Sequence, residues 1–333
     1  MKAYITSIAF ALPEYVEENE KNRLTRKTGI QRRHIAKQNE IASDFAVKAA
    51  ENLFAQGIEK NAIDMLLYCT QSPDYPLPTT ACIMQARIGL SKHCGALDYN
   101  LGCSGYIYGL SLAKGLIESG QVKNVLLITS ETYSKYIDSR DNSTKPLFGD
   151  GATATLIEGI EKTEEPGLDG FVLGTDGNGY KNLIVPVGGM VHPAVTTPKV
   201  DEKDDYGNIR TNWNLYMDGS AISDFALDVV PETMSRVLEK THKSKKDIGY
   251  YVFHQANKFM LDYLQMKCDL MDYPYWNDVK EYGNTVSSSI PLALYDMLHT
   301  AIPKNPIVMA IGFGVGLSWG GCLIDVSNIN FGI

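Results

Sequence analysis

The sequence predicts an α/β fold, and three observations lead there. Short apolar runs at residues 65–70, 96–100, 124–129 and 307–311 alternate with stretches whose apolar residues recur at helical spacing. The chain also echoes itself. Ile63-Asp-Met-Leu-Leu-Tyr-Cys-Thr has the pattern of Ile248-Gly-Tyr-Tyr-Val-Phe-His-Gln, and Gly149-Asp-Gly-Ala-Thr-Ala-Thr-Leu-Ile-Glu that of Ser318-Trp-Gly-Gly-Cys-Leu-Ile-Asp. Finally, 44% hydrophobic and 21% charged residues over 333 positions can bury a large core and leave no room for extended disorder. Two copies of one α/β unit explain both echoes, although any two α/β halves share some of this rhythm.

The elements follow from local chemistry. Residues 1–13 alternate like a strand, and Pro13 stops them short of signal-peptide length. Ser43 followed by Asp44 is placed to cap a helix running to about Gln56. Cys103 begins another helix, whose Ile107, Leu110, Leu112, Ala113, Leu116 and Ile117 make a broad apolar face before Gly120 ends it. Residues 188–212 are rich in Pro, Thr and charge and read as a long surface excursion, either a lid or a solvated insertion. The division falls between an N-terminal half, 1–170, and a C-terminal half, 171–333, which contains the excursion.

A formal charge of −8 argues against a nucleic-acid binder, which needs a concentrated basic face. No apolar run approaches a membrane span, since even residues 307–317 contain three glycines. The six cysteines are scattered, with no CxxC pair and no metal-ligand spacing, so they read as reduced thiols of a soluble cytoplasmic protein without a metal.

Four segments carry candidate chemistry. Asp98-Tyr-Asn-Leu-Gly-Cys-Ser-Gly puts Cys103 at the junction of an apolar strand and a helix, where free amides and the helix dipole favour thiolate; the plain reading is a small buried hydrophobe. Val252-Phe-His-Gln-Ala-Asn places His254 and Asn257 at a strand end, where α/β sheets present functional groups, or else supplies a hydrogen-bonded core histidine. Glu281-Tyr-Gly-Asn-Thr-Val-Ser-Ser-Ser makes a turn at Gly283 and Asn284 with capping residues after it. The glycines of Gly312-Phe-Gly-Val-Gly-Leu-Ser-Trp-Gly-Gly precede a strand, not a helix, which excludes a dinucleotide fingerprint and suits close backbone approach to an oxyanion or thioester.

Together and in this order, with Lys27-Thr-Gly-Ile-Gln-Arg-Arg-His-Ile and Phe148-Gly-Asp-Gly-Ala, these motifs resemble the β-ketoacyl-acyl-carrier-protein synthase III family of the thiolase superfamily over nearly the whole chain. The resemblance implies two similar α/β halves in a five-layered α-β-α-β-α thiolase-like fold, a homodimer, and no metal or redox cofactor. It implies a decarboxylating condensation of an acyl starter with malonyl-acyl-carrier protein. Cys103 would carry the acyl group and His254 with Asn284 would bind the malonyl thioester carbonyl. The Cys103 amide and one from Val315 or Gly316 would hold the oxyanion. Asn257 and Phe313 would line the substrate path, Lys27 and Arg32 would meet a phosphate, and Asp150 would stabilise backbone.

Departures from the family pattern bear on substrates. Arg23 and Asn142 stand where acetyl-CoA users have the tryptophan and arginine that clamp adenine, so the acyl donor is either acyl-CoA bound differently or acyl-carrier protein. Leu77 replaces a phenylalanine that crosses the dimer interface and limits the acyl pocket, which implies a larger starter. Lys243, Lys245, Lys246, Lys258 and Lys267 are candidates for carrier docking, and Phe259 stands where relatives often carry an arginine for it. Rival outcomes are acyl transfer from Cys103 to an alcohol, amine or diketide, and a non-catalytic acyl-binding partner subunit.

Overall fold

The computed structural model describes residues 1–161 and 166–330. Five strands form the first sheet: β1 (Lys2–Ala11), β2 (Met65–Cys69), β3 (Gly95–Tyr99), β4 (Asn124–Glu131) and β5 (Gly151–Ile160), in the order β1-β5-β4-β2-β3. β5 runs antiparallel to β1 and β4, while β2 is parallel to both its neighbours. Four strands form the second: β6 (Leu168–Thr175), β7 (Tyr250–Phe253), β8 (Ile307–Gly314) and β9 (Ser318–Asp325), in the order β7-β8-β9-β6. β9 is antiparallel to β6 and β8, and β7 is parallel to β8.

The two sheets are the same sheet built twice. β6, β7, β8 and β9 take the places of β1, β2, β4 and β5 with the same directions. The counterpart of β3 shrinks to one parallel bridge, Tyr251 to Tyr275. Both echoes in the sequence fall on equivalent strands, β2 with β7 and β5 with β9. β6 begins at Leu168, so the second sheet starts just before residue 171.

Period-two alternation then sorts side chains into layers. Leu66, Tyr68, Leu126 and Ile128 face outward to helix α1 (Ala42–Phe54) and its Phe45, Ala49 and Leu53. Leu67, Val125 and Leu127 face the other way, onto α3 (Gly105–Glu118). α2 (Thr80–Ile88) lies on the first sheet beside α1. In the second sheet Val308 and Ala310 meet α3 and α6 (Ser289–Thr300), while Met309 and Ile311 face α4 (Gly219–Thr241) and α5 (Lys258–Lys267). Helices α3 and α6 are therefore sandwiched between sheets, giving the expected α-β-α-β-α order. Both run predominantly apolar because two faces are covered.

Residues 188–212 include a small hairpin, Asp201–Lys203 with Ile209–Thr211. It is tied to the body where the Arg140 guanidinium meets both oxygens of Asp201 at 2.8 and 2.9 Å. Ser43 does not cap α1. It lies within that helix, buried, and donates to Asp74 at 2.9 Å, while Asp44 accepts from the Ile41 amide at 3.0 Å.

Candidate functional site

Cys103, His254 and Asn284 line one cavity of about 540 Å³. They come from the C-terminal edges of both sheets. Cys103 sits in the turn from β3 into α3, two residues before the helix starts at Gly105. Its counterpart in the second half is the segment between the Tyr275 bridge and α6, and that segment supplies Asn284. His254 is the residue after β7. Duplication thus brings the two strand-to-middle-helix turns together.

The Cys103 turn is packed tightly. β8 passes over it at Gly312 and Gly314: a Cβ on Gly312 would lie 2.6 Å from the Cys103 carbonyl oxygen, and one on Gly314 would lie 3.0 Å from Cys103 Sγ. These glycines make room for the cysteine's own turn. Burial, and secondarily Glu131, raises the Cys103 thiol well above the ordinary range. Among the described residues, the Cys103 amide meets only its own Sγ, and the Val315 amide donates to no protein acceptor. Val315 and Gly316 themselves line a neighbouring cavity rather than the one containing Cys103, and Gly314 is the loop residue that faces the thiol.

His254 is buried, and burial lowers its pKa to about 3, so the ring is neutral near pH 7. Nδ1 lies 2.7 Å from Ser289 Oγ, and Phe313 packs edge-on against the ring at 5.3 Å between centroids. Asn284 is fixed at three points. Its N–H donates to Leu147 at 2.8 Å, its carbonyl accepts from Gly149 at 3.0 Å, and its Oδ1 accepts from Val286 N–H at 2.9 Å. The side-chain amide NH₂ is left for the cavity. Gly283, at φ 67°, makes the turn into it. Asp150 accepts from the Ala36 and Ser134 amides at 2.8 and 2.9 Å, a backbone-stabilising role as expected.

The serines after Asn284 are not helix caps. Ser289 holds His254, Ser288 bonds Thr129, and Ser287 donates to Glu131 at 3.0 Å. Glu131 is the charged residue that ends β4, and burial pushes its carboxyl up to about 8. It gathers Ser287 from one half and Gln71 and Ser72 from the other. Sequence reading passed over this group; a lone acid closing a buried strand was the available signal.

At the cavity mouth, Lys27 Nζ sits 3.8 Å over the Phe259 ring, which stacks on Tyr263. Asn257 lines the same cavity and caps α5 by accepting from Met260 N–H at 2.9 Å. Phe313 lines it from below. Two further expected substrate residues lie outside this lining. Arg32 lies outside the lining and pairs with Glu281 at 2.6 Å; its neighbour Arg33 is the buried one, bonded to Glu17, Lys145 and Phe148. Leu77, expected to lie at a subunit interface rather than in its own chain's cavity, is 80% exposed. Of the candidate docking lysines, Lys245 pairs with Asp269 and Lys258 with Asp262. Among the described residues no group of His, Cys, Asp and Glu could hold a metal ion, and no helix is long and apolar enough to cross a membrane.

A duplicated sheet enclosing a Cys–His–Asn cavity defines the thiolase-like class. Residues 97–177 match the model of 3-oxoacyl-[acyl-carrier-protein] synthase III, and residues 238–326 match the model of its C-terminal part. The chain belongs to the 3-oxoacyl-[acyl-carrier-protein] synthase III family. It is 36% identical to the β-ketoacyl-[acyl-carrier-protein] synthase III of Natranaerobius thermophilus over 93% of this chain and 92% of that one. A solved 3-oxoacyl-(acyl-carrier-protein) synthase III matches with a TM-score of 0.95 at 44% identity, covering 98% of this chain and 100% of that one. The 3-oxoacyl-(acyl-carrier-protein) synthase of Burkholderia xenovorans LB400 matches at 0.87 and 34% identity, covering 99% and 96%.

Proposed function

We propose that the chain condenses an acyl starter with a malonyl thioester on acyl-carrier protein, with loss of carbon dioxide, through an acyl-cysteine on Cys103. The observation that carries this reading is the convergence of a buried thiol, a neutral imidazole and an oriented carboxamide on one cavity. Membership of the family supports the same reaction in fatty acid biosynthesis.

A starter must first be held on an atom that is both nucleophile and leaving group. Cys103 Sγ attacks the starter thioester, its proton leaving with the departing thiol. Burial disfavours a free thiolate beforehand, so proton loss accompanies bond formation. Malonyl thioester then enters. With Ser289 donating to Nδ1, His254 presents Nε2–H to the malonyl thioester carbonyl beside the Asn284 NH₂. Both donors are neutral and fixed, so they stabilise the enolate oxygen that forms as carbon dioxide leaves. The enolate carbon attacks the acyl-cysteine carbonyl, whose oxyanion meets the Cys103 N–H and the amide after Gly314. Collapse expels the Cys103 sulfur and leaves the β-ketoacyl chain on the carrier.

A cavity rim of Lys27 over Phe259 supports a phosphopantetheine thioester as the form of the substrate. Leu77 stands exposed near edge strand β3, whose Leu97 is also exposed, which supports a homodimer. We read the location as cytoplasmic, in keeping with the substrates. The test is intact-mass spectrometry after incubation with acyl-CoA and acyl-carrier protein. One acyl adduct that disappears in Cys103→Ser is expected, whereas an adduct surviving in that variant would overturn the assignment.

A further inference from the structure

A second cavity of about 480 Å³ adjoins the first, and its lining mixes apolar and polar side chains. Its lining includes the apolar Leu183, Val187 and Leu215 and the polar Gln71, Asn100 and Tyr133. Tyr133 and Leu183 line both cavities, so the space beside Cys103 and this one share walls. Gln71 flanks the nucleophile's turn directly, since a Cβ on Gly102 would lie 2.6 Å from its Oε1.

Gln71 is held on every side. Its backbone N–H donates to Glu131 at 3.1 Å, and its carbonyl accepts from the Tyr136 hydroxyl at 2.7 Å. Its Oε1 accepts from Tyr133 at 3.0 Å, and its Nε2 donates to Asn100 Oδ1 at 2.9 Å. A side chain pinned this way does not swing aside for hydrocarbon. Capacity is left over on half-buried Gln71, in its second Nε2 hydrogen, and on the buried Tyr133 oxygen, in a lone pair, while the NH₂ of Asn100 faces solvent at the rim. A plain alkyl chain would cover these groups without satisfying them, which is unfavourable.

We propose that the starter is a short acyl chain bearing an oxygen function, hydroxy or oxo, that hydrogen-bonds Gln71 and Asn100 while its carbons lie on Leu183, Val187 and Leu215. The assignment rests on the acyl-cysteine reading above. It names Gln71 as the residue that sets starter specificity.

The test compares acylation rates of Cys103 by intact-mass spectrometry, using butyryl, 3-hydroxybutyryl and 4-hydroxybutyryl thioesters, each on CoA and on carrier-protein phosphopantetheine. Wild type is expected to take one of the hydroxyacyl groups at least about tenfold faster than butyryl. Gln71→Met keeps the volume and removes the hydrogen bonds, so the ratio should fall to near parity through loss of the hydroxyacyl rate. A wild-type butyryl rate equal to or above both hydroxyacyl rates overturns the polar-starter assignment while leaving the acyl-cysteine in place, and this ratio decides even where Gln71→Met does not fold. Absence of an adduct from every donor contradicts the acyl-cysteine reading itself.

Discussion

At the residue scale the site depends on groups that hold a chemical state rather than on groups poised to titrate. The lowered pKa of His254, about 3, means that its ring stays a neutral donor across pH 5–8. Single-turnover condensation should therefore show no step near pH 6.5 assignable to a histidine, and a step there lost in His254→Ala would contradict the neutral-donor role. The sign for stability is equally definite. The unfolded chain binds a proton on this histidine below about 6.5 and the native chain does not until about 3, so its contribution is unfavourable to folding as pH falls between those values and nil above them. Asn284→Asp replaces a donor with an acceptor; kcat should fall by about 10²- to 10³-fold, the usual cost of one such donor, with Cys103 acylation much less affected. Cys103, His254 and Asn284 were legible from motif order. Ser289 was not, because three consecutive serines before a helix look like caps until the fold shows where each points.

At the element scale, the two strand-to-helix turns and the β8 strand above them set the geometry. Gly312 has backbone for neighbours, the Cys103 carbonyl at 2.6 Å and Ser104 Cα at 2.9 Å from an added Cβ. Neither can retreat without moving the nucleophile. Gly312→Ala should cost about 1–3 kcal/mol in denaturant unfolding and slow Cys103 acylation. Unchanged stability and rate would show the turn to be looser than described. Ser289→Ala leaves the His254 ring in place without fixing its tautomer, so kcat should drop by about tenfold while the acylation rate is largely kept; methods that read bound protons on the ring, such as ¹⁵N NMR, should show a mixed tautomer. Sequence showed that the glycine loop was no nucleotide fingerprint, since a strand follows it. It did not show that the glycines serve the cysteine's backbone, because that approach is between residues about two hundred positions apart.

At the scale of the whole molecule, the repeat suspected from two weak echoes is a duplicated sheet, identical in order and direction apart from the lost third strand of the second copy. Sequence carried this faintly because what the halves share is the continuous apolar run that a strand buried on both faces demands, not particular residues. Register along a motif likewise does not say which of two neighbouring arginines turns inward: Arg33 is the buried one, while Arg32 stays at the surface. The middle layer makes the halves interdependent, since Leu110 and Ala113 of α3 share one buried cluster with Val308, Ala310 and Ile324. Residues 1–161 alone should therefore show no cooperative thermal transition by circular dichroism, while the full chain shows one. The central claim is that carbon–carbon bond formation follows decarboxylation on a preloaded cysteine. Cys103 acylated in advance and freed of excess donor, then mixed with carboxyl-labelled malonyl-acyl-carrier protein, should release one labelled carbon dioxide for each β-ketoacyl product. Acyl groups leaving Cys103 for another acceptor with no labelled carbon dioxide would contradict it.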